Sequence, residues 1–203
     1  MADTYIKYND HSISSAFKDH YIVPDYQREY VWTDEQVEQL MADLLDAYNT
    51  DNKKAYFLGT IVTYDSGSQF ELIDGQQRLT TFFVLLCAIK KFYVNCGEQT
   101  SVIENLIYSP TMNSEGDGIN LYHLQLQYED AGNCLELIEK GQERPNYLTQ
   151  SGERLFDAFK TIQDFLSERF GFCLEAVCFR PEQLCFRRCR RIFRRQDFHL
   201  RCC

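Results

Sequence analysis

The sequence predicts an α+β domain: a small mixed sheet flanked by helices, followed by a helical segment. Three observations carry that expectation. Residues 56–64 (Y-F-L-G-T-I-V-T-Y) are rich in β-branched and aromatic side chains. A Ser66-Gly67-Ser68 turn and a second apolar run, 70–73, follow them, so the stretch reads as a β-hairpin. Val37, Leu40, Met41, Leu44, Leu45 and Tyr48 recur at helical spacing and form one apolar stripe. Residues 79–93 are apolar on nearly every face, which marks a helix buried on more than one side.

The remaining elements fall around these. Residues 1–20 read as a polar lead-in with a short helix, for which Ser12, Ser14 and Ser15 are candidate caps. Tyr21-Ile22-Val23 is a short extended run closed by Pro24, which keeps Val23 out of the helical region. Thr33 and Gln36 form a capping-box pair at the start of the first long helix, with Asp34 and Glu35 in its first turn. Residues 99–108 read as a short helix and 109–120 as a loop with Pro110, Gly116 and Gly118. Residues 121–128 alternate like a single strand, 131–140 read as a short helix, and 155–169 as a last amphipathic helix.

Composition bounds the function. The 203 residues suit one domain, or one domain with an appendage. The formal net charge of −9 argues against bulk electrostatic attraction to nucleic acid, so any DNA contact needs a local basic patch. The first twenty residues lack the apolar core of a signal peptide, and the longest apolar run, 82–89, is far short of a membrane span. The expectation is a soluble, cytoplasmic protein.

The chemistry concentrates at 70–86 (F-E-L-I-D-G-Q-Q-R-L-T-T-F-F-V-L-L). A strand ends, Asp74 presents a carboxylate, and Gly75 allows a sharp turn and close approach of a ligand. The helix that follows offers unpaired backbone N–H groups and the positive end of its dipole, the makings of an anion site. Gln76 and Gln77 add amide donors, Arg78 a fork suited to phosphate, and Thr80 and Thr81 hydroxyls. An acid beside a bound phosphate can hold Mg²⁺ or orient water. The plainer alternative makes Asp74 a helix cap and Arg78 a surface charge.

A second constellation lies upstream in Pro24-Asp25-Tyr26-Gln27-Arg28-Glu29-Tyr30-Val31-Trp32. Aromatic rings beside an arginine can stack on a base and grip a phosphate. Alternatively Tyr26, Tyr30 and Trp32 are core or staple residues ahead of the Thr33 helix, the reading we prefer for Trp32.

Three motifs in this order, V-P-D-Y-Q-R-E-Y-V-W, Y-F-L-G-T-I-V and I-D-G-Q-Q-R-L-T-T, resemble the N-terminal domain of GmrSD-type restriction endonucleases. The resemblance is strong over 21–89, looser to Gly171, and leaves out the tail. It implies a ParB/sulfiredoxin-like fold and binding and hydrolysis of a nucleoside triphosphate at the D-G-Q-Q-R motif. The setting it implies is a modification-dependent, type IV-like restriction and phage-defence system acting on DNA. Carried over by position, Asp74, Gln77 and Arg78 would be catalytic, with Asp74 the Mg²⁺ ligand. Gln27, Arg28, Gly75, Gln76, Thr80 and Thr81 would bind the nucleotide.

Relatives of this type carry a C-terminal HNH-type nuclease domain, and His11, His20, His123 and His199 form no such cluster. The expectation is therefore a truncated member with no nuclease domain of its own, working with a nuclease subunit or domain in trans. Sulfiredoxin-like redox chemistry is set aside because the phosphate-binding motif contains no cysteine, and Cys87 falls inside an apolar helix.

From residue 172 the composition changes. The tail to 203 holds eight arginines, no lysine, six of the nine cysteines and three acids. Its cysteines lack the paired spacing of a zinc site. A metal-binding or nucleic-acid-binding appendage competes with the product of a reading-frame shift near residue 172, which we favour. The expected organisation is a ParB-like nucleotide-binding core at 1–108, a partial helical extension at 109–171, and a tail at 172–203 that is not natively folded. A non-catalytic DNA-binding module and a non-functional fragment are the competing accounts of function.

Overall fold

The computed structural model describes residues 8–50, 56–128, 131–170 and 198–202. Elements run in the order β1 (Asn9–Ser12), α1 (Ile13–Ala16), β2 (Tyr21–Val23), α2 (Asp34–Thr50), β3 (Tyr56–Asp65) and β4 (Phe70–Asp74). Then follow α3 (Gln76–Asn95), α4 (Ser101–Ile107), β5 (Tyr108–Met112), β6 (Gly118–Tyr122) and β7 (Leu124–Leu126). The last are α5 (Ala131–Glu139), α6 (Gln150–Phe170) and β8 (Phe198–Cys202). The class is α+β, as predicted.

A six-stranded mixed sheet has the order β1-β8-β3-β4-β2-β7, and β5 and β6 form a separate two-stranded ribbon. The predicted hairpin is β3–β4, antiparallel. Its turn closes where Gly67 donates its N–H to the Asp65 carboxylate at 2.8 Å. β2 runs parallel to both β4 and β7, and all three of its residues are buried.

α3 organises the interior. Every residue from Leu79 to Ile89 is buried, the outcome that its all-round apolar sequence requires. It packs against α4, α5 and α6. It shares one core with Leu58, Ile61 and Leu72 of the sheet, and Phe83 reaches both Phe17 and Tyr122 at 6.3 Å between ring centroids. On its outer flank, Lys90 pairs with Glu139 of α5 and Glu104 of α4, and the Tyr122 hydroxyl donates to Glu139 at 3.1 Å. Burial opposes the charge on Lys90, but the bond to Glu139 and that residue's charge outweigh it and raise the ammonium above its ordinary range.

Local signals hold at the helix starts. Ser12 caps α1 by accepting from the Ser15 N–H at 3.2 Å. Gln36 reaches back to the Thr33 N–H at 2.8 Å as the box predicts. The Thr33 hydroxyl also donates to that same amide oxygen.

Three expectations need correction. Residues 109–120 are not a loop: β5 and β6 pair across most of that stretch. Pro110 is tolerated because a two-stranded ribbon has only edges, where a missing N–H breaks no interior ladder. The turn is held by Asn113, whose side-chain oxygen accepts from the N–H groups of Glu115 and Asp117. Residues 121–128 are not one strand either, because the chain leaves the ribbon at His123 and joins the main sheet as β7. The third correction is β1, which lies in the stretch read as a helical lead-in. It pairs antiparallel with β8, a partner nearly two hundred residues away that no local pattern reveals. The strand 198–202 is the described part of the tail, and the expectation for 172–197 falls outside the described residues.

His123 is fixed at this crossing. It is 2% exposed. Its Nδ1 lies 3.1 Å from the Leu106 carbonyl, its Nε2 is 2.8 Å from the Ser109 hydroxyl, and the His20 ring meets it edge-on at 4.7 Å. A carbonyl only accepts, so Nδ1 carries the proton and Ser109 donates to Nε2. Burial holds His123 below the ordinary histidine range. Below about pH 6.5 the unfolded chain takes up a proton that the folded chain resists, so stability is full above that pH and falls as pH drops through it. Urea midpoints measured from pH 7.5 down to pH 5 are expected to show this decline, and His123→Gln is expected to make it shallower.

Candidate functional site

The candidate site is built where β4 gives way to α3. Gly75 occupies the N-cap position at φ +88°, a left-handed conformation suited to glycine. A Cβ there would lie 2.7 Å from Ile61 Cγ2 and 3.1 Å from the Thr60 carbonyl, so space and backbone both select glycine. Gly75 has no side chain with which to cap α3. The first N–H groups of α3 therefore face outward with the positive end of a 20-residue helix behind them. Asp74 ends β4 opposite Val62, beside a register shift in β3. It is not the cap. Its carboxylate is exposed and has no hydrogen bond or ion pair among the described residues.

The two glutamines divide. Gln77 is buried, and both ends of its amide are bound to the chain. Its nitrogen donates to the Glu29 carbonyl at 2.9 Å, and its oxygen accepts from the Val31 N–H at 2.8 Å. Because one partner is a carbonyl and the other an N–H, the orientation of the amide is fixed. Gln76 is half-buried, and its one side-chain hydrogen bond among the described residues is to the Gln27 amide oxygen, at 3.5 Å. Gln77 and Gln76 thus join the two motifs in different ways, one through a structural clamp and the other through a loose amide pair. Arg28 and Tyr26 are exposed on the loop between Pro24 and Tyr30.

Beneath the clamp, the Tyr30 hydroxyl lies 2.9 Å from Thr81 Oγ1, which itself donates to the Gln77 carbonyl at 2.8 Å. The Tyr30 N–H donates to Ser151 of α6 at 3.1 Å. Tyr30 is fully buried, and burial raises its hydroxyl well above the ordinary range. Thr80 and Thr81 are both buried, so neither hydroxyl lies on the open face of the site.

Arg78 lies in the first turn of α3 with its guanidinium against Gly59 of β3. A Cβ at Gly59, which sits at φ +113°, would come 2.1 Å from Arg78 Nη1. Arg78 has no hydrogen bond or ion pair among the described residues. It opens into a cleft of about 450 Å³ between α2 and β3, also lined by Trp32, Glu35, Gln39, Asp43 and Phe57. Asp74, Gly75, Gln76, Gln27 and Arg28 are not in that lining. Trp32, set aside from sequence as a staple residue, packs on the core and lines the cleft as well. Sequence reasoning missed Gly59 and Ser151. A glycine inside a β-branched run signals close approach of another group, and Gly59 carried that signal.

Residues 9–196 match the model of the GmrSD restriction endonuclease, N-terminal domain. The chain belongs to that family. The match takes in residues 172–196, which the three motifs alone leave out. No curated protein matches the chain. A GmrSD N-terminal domain is a component of a restriction endonuclease system by the family's own description.

No helix among the described residues is long and apolar enough to cross a membrane. Among the same residues, no group of three or more His, Cys, Asp or Glu side chains is placed to hold a metal ion.

Two substitutions separate the glutamines. Gln77→Met leaves the Glu29 carbonyl and Val31 N–H without their partner and is expected to cost at least about 2 kcal/mol in chemical denaturation. Gln76→Ala is expected to cost less than about 1 kcal/mol, because its hydrogen bond to Gln27 is long and partly solvated.

Proposed function

We propose that this GmrSD N-terminal domain binds and hydrolyses a nucleoside triphosphate at the β4–α3 junction. One observation carries the reading: a 20-residue helix with a glycine at its N-cap begins between a carboxylate, Asp74, and a guanidinium, Arg78, neither of which has a hydrogen bond or ion pair among the described residues. An open N–H cluster with a helix dipole attracts phosphate, and a free arginine adds charge-assisted bonds to it. Groups with a structural task are occupied by hydrogen bonds, as Gln77 and Thr81 are.

Roles follow from what each group has free. Arg78 and the first N–H groups of α3 hold phosphate oxygens. Gln76 and Gln27 offer amides at the mouth, and Arg28, exposed on the upstream loop, closes on the phosphates from the other side. Gln77 acts by positioning: it holds the 29–31 segment at the correct distance from α3. Thr81 supports it through Tyr30. Asp74 is the remaining acid. A lone carboxylate suits Mg²⁺ that arrives with the triphosphate, since that ion commonly takes one or two carboxylates and completes its shell with phosphate and water. Such an ion would neutralise charge on the transferred phosphoryl group.

In this reading the domain is the nucleotide-dependent part of a modification-dependent DNA restriction and phage-defence system in the cytoplasm. DNA is the ultimate target, and a nuclease domain or subunit, in trans, is the effector.

Mg²⁺-dependent phosphate release from a panel of triphosphates tests it. Asp74→Ala and Arg78→Ala are each expected to lower the rate by about 100-fold or more while leaving the urea midpoint near that of the parent chain. Hydrolysis that survives in both variants, or none from the folded parent chain, would exclude the proposal.

A further inference from the structure

The α2–β3 cleft carries a charge pattern that the hydrolysis reading does not use. We infer that it is the nucleoside end of the site, with the base stacked on Trp32 and its hydrogen-bonding edge on α2, and that it selects guanine. This rests on the proposal that phosphates sit at Arg78 and the start of α3.

Electrostatics sets the direction of the ligand. Among the described residues of the lining Arg78 is the one cation, and it belongs to the first turn of α3. The α2 wall carries Glu35 and Asp43. Phosphates are repelled from that wall and drawn to the arginine, so the part of the ligand lying along α2 is neutral. The cleft volume, about 450 Å³, is in the range of small-ligand sites. Trp32 and Phe57 supply aromatic surface, and base–aromatic stacking needs no charge.

Hydrogen-bonding capacity sets the base. Gln36, Gln39 and Asp43 fall on one face of α2 by their i, i+3 and i+7 spacing. The Gln36 amide oxygen is occupied by the Thr33 N–H and hydroxyl, which leaves its NH₂ as the group on offer. Gln39 donates its NH₂ to Asp43 at 2.7 Å, which leaves the Gln39 oxygen and the second Asp43 oxygen as acceptors. These orientations are fixed by chemistry, since a backbone N–H only donates and a carboxylate only accepts. The wall therefore presents one donor and a set of acceptors. Guanine is the complement, with its O6 acceptor and its N1–H and N2–H₂ donors. Adenine and cytosine lack the second donor group, and uracil offers a single N–H between two acceptors.

Trp32 is the only tryptophan in the chain, so its emission reports the cleft without a label. GTP, ITP and inorganic tripolyphosphate are titrated with Mg²⁺ into the full chain, followed by calorimetry and by tryptophan emission. ITP differs from GTP only by the missing N2 amino group. The expected result is that all three bind, that GTP and ITP quench emission while tripolyphosphate does not, and that GTP binds about tenfold more tightly than ITP. In Asp43→Asn that preference is expected to shrink towards equality. Calorimetric binding of GTP with silent emission, or equal affinity for GTP and ITP, overturns this inference and leaves the phosphate site standing. Absence of binding by GTP and tripolyphosphate alike overturns the phosphate site as well.

Discussion

Gln77 ties the two polar motifs of the chain, 24–32 and 73–81, to each other. Its amide spans the Glu29 carbonyl and the Val31 N–H, two backbone groups of a segment that is neither helix nor strand. Without that amide the segment would bury polar backbone with no partner, at a cost of roughly 1–3 kcal/mol for each group. With it, Tyr30 is set into the core against Thr81 and Ser151, and Trp32 is delivered to the mouth of the α2–β3 cleft. The path of the upstream loop, the start of α2 and the aromatic wall of the cleft all depend on this single side chain.

The polar residues of the junction therefore belong to two groups. Gln77, Thr81, Tyr30 and Ser151 spend their hydrogen bonds on one another and on the backbone. Asp74 and Arg78 spend none among the described residues. A fold that satisfies its buried amides so thoroughly, with no buried side-chain nitrogen or oxygen left without a partner among the described residues, has no structural use for an open carboxylate and an open guanidinium on either side of a helix start. The glycines confirm how closely the backbone is fitted there, since a methyl group at Gly59 or Gly75 collides with Arg78 or with Ile61.

Much of this was legible in the sequence because it is local. The β3–β4 hairpin, the strand–glycine–helix junction, the buried α3 and the box at Thr33 and Gln36 are each written within about twenty residues. What escaped is non-local. β1 exists through pairing with β8 at the far end of the chain. The break at His123 arises because that residue serves Leu106, Ser109 and His20 at once, a tertiary arrangement that overrides the alternating pattern on either side of it. In the site, D-G-Q-Q-R reads as five consecutive ligand groups, but helical geometry sends its members in different directions. Gln76 faces Gln27, Gln77 turns inward to the 29–31 segment, and Arg78 points across to Gly59. The periodicity was available in advance; the partner of each direction was not.

The claim that these residues divide into structural and ligand-facing groups is tested most directly by thermal unfolding with and without Mg²⁺ and a triphosphate, in Asp74→Asn and Gln77→Met side by side. A ligand that binds only the folded state raises the melting temperature in proportion to its occupancy. The account predicts that Asp74→Asn melts with the parent chain when ligand-free and loses most of the ligand-induced rise. It predicts that Gln77→Met melts lower from the outset. An Asp74→Asn chain that is itself destabilised, or that keeps the full rise, would contradict it.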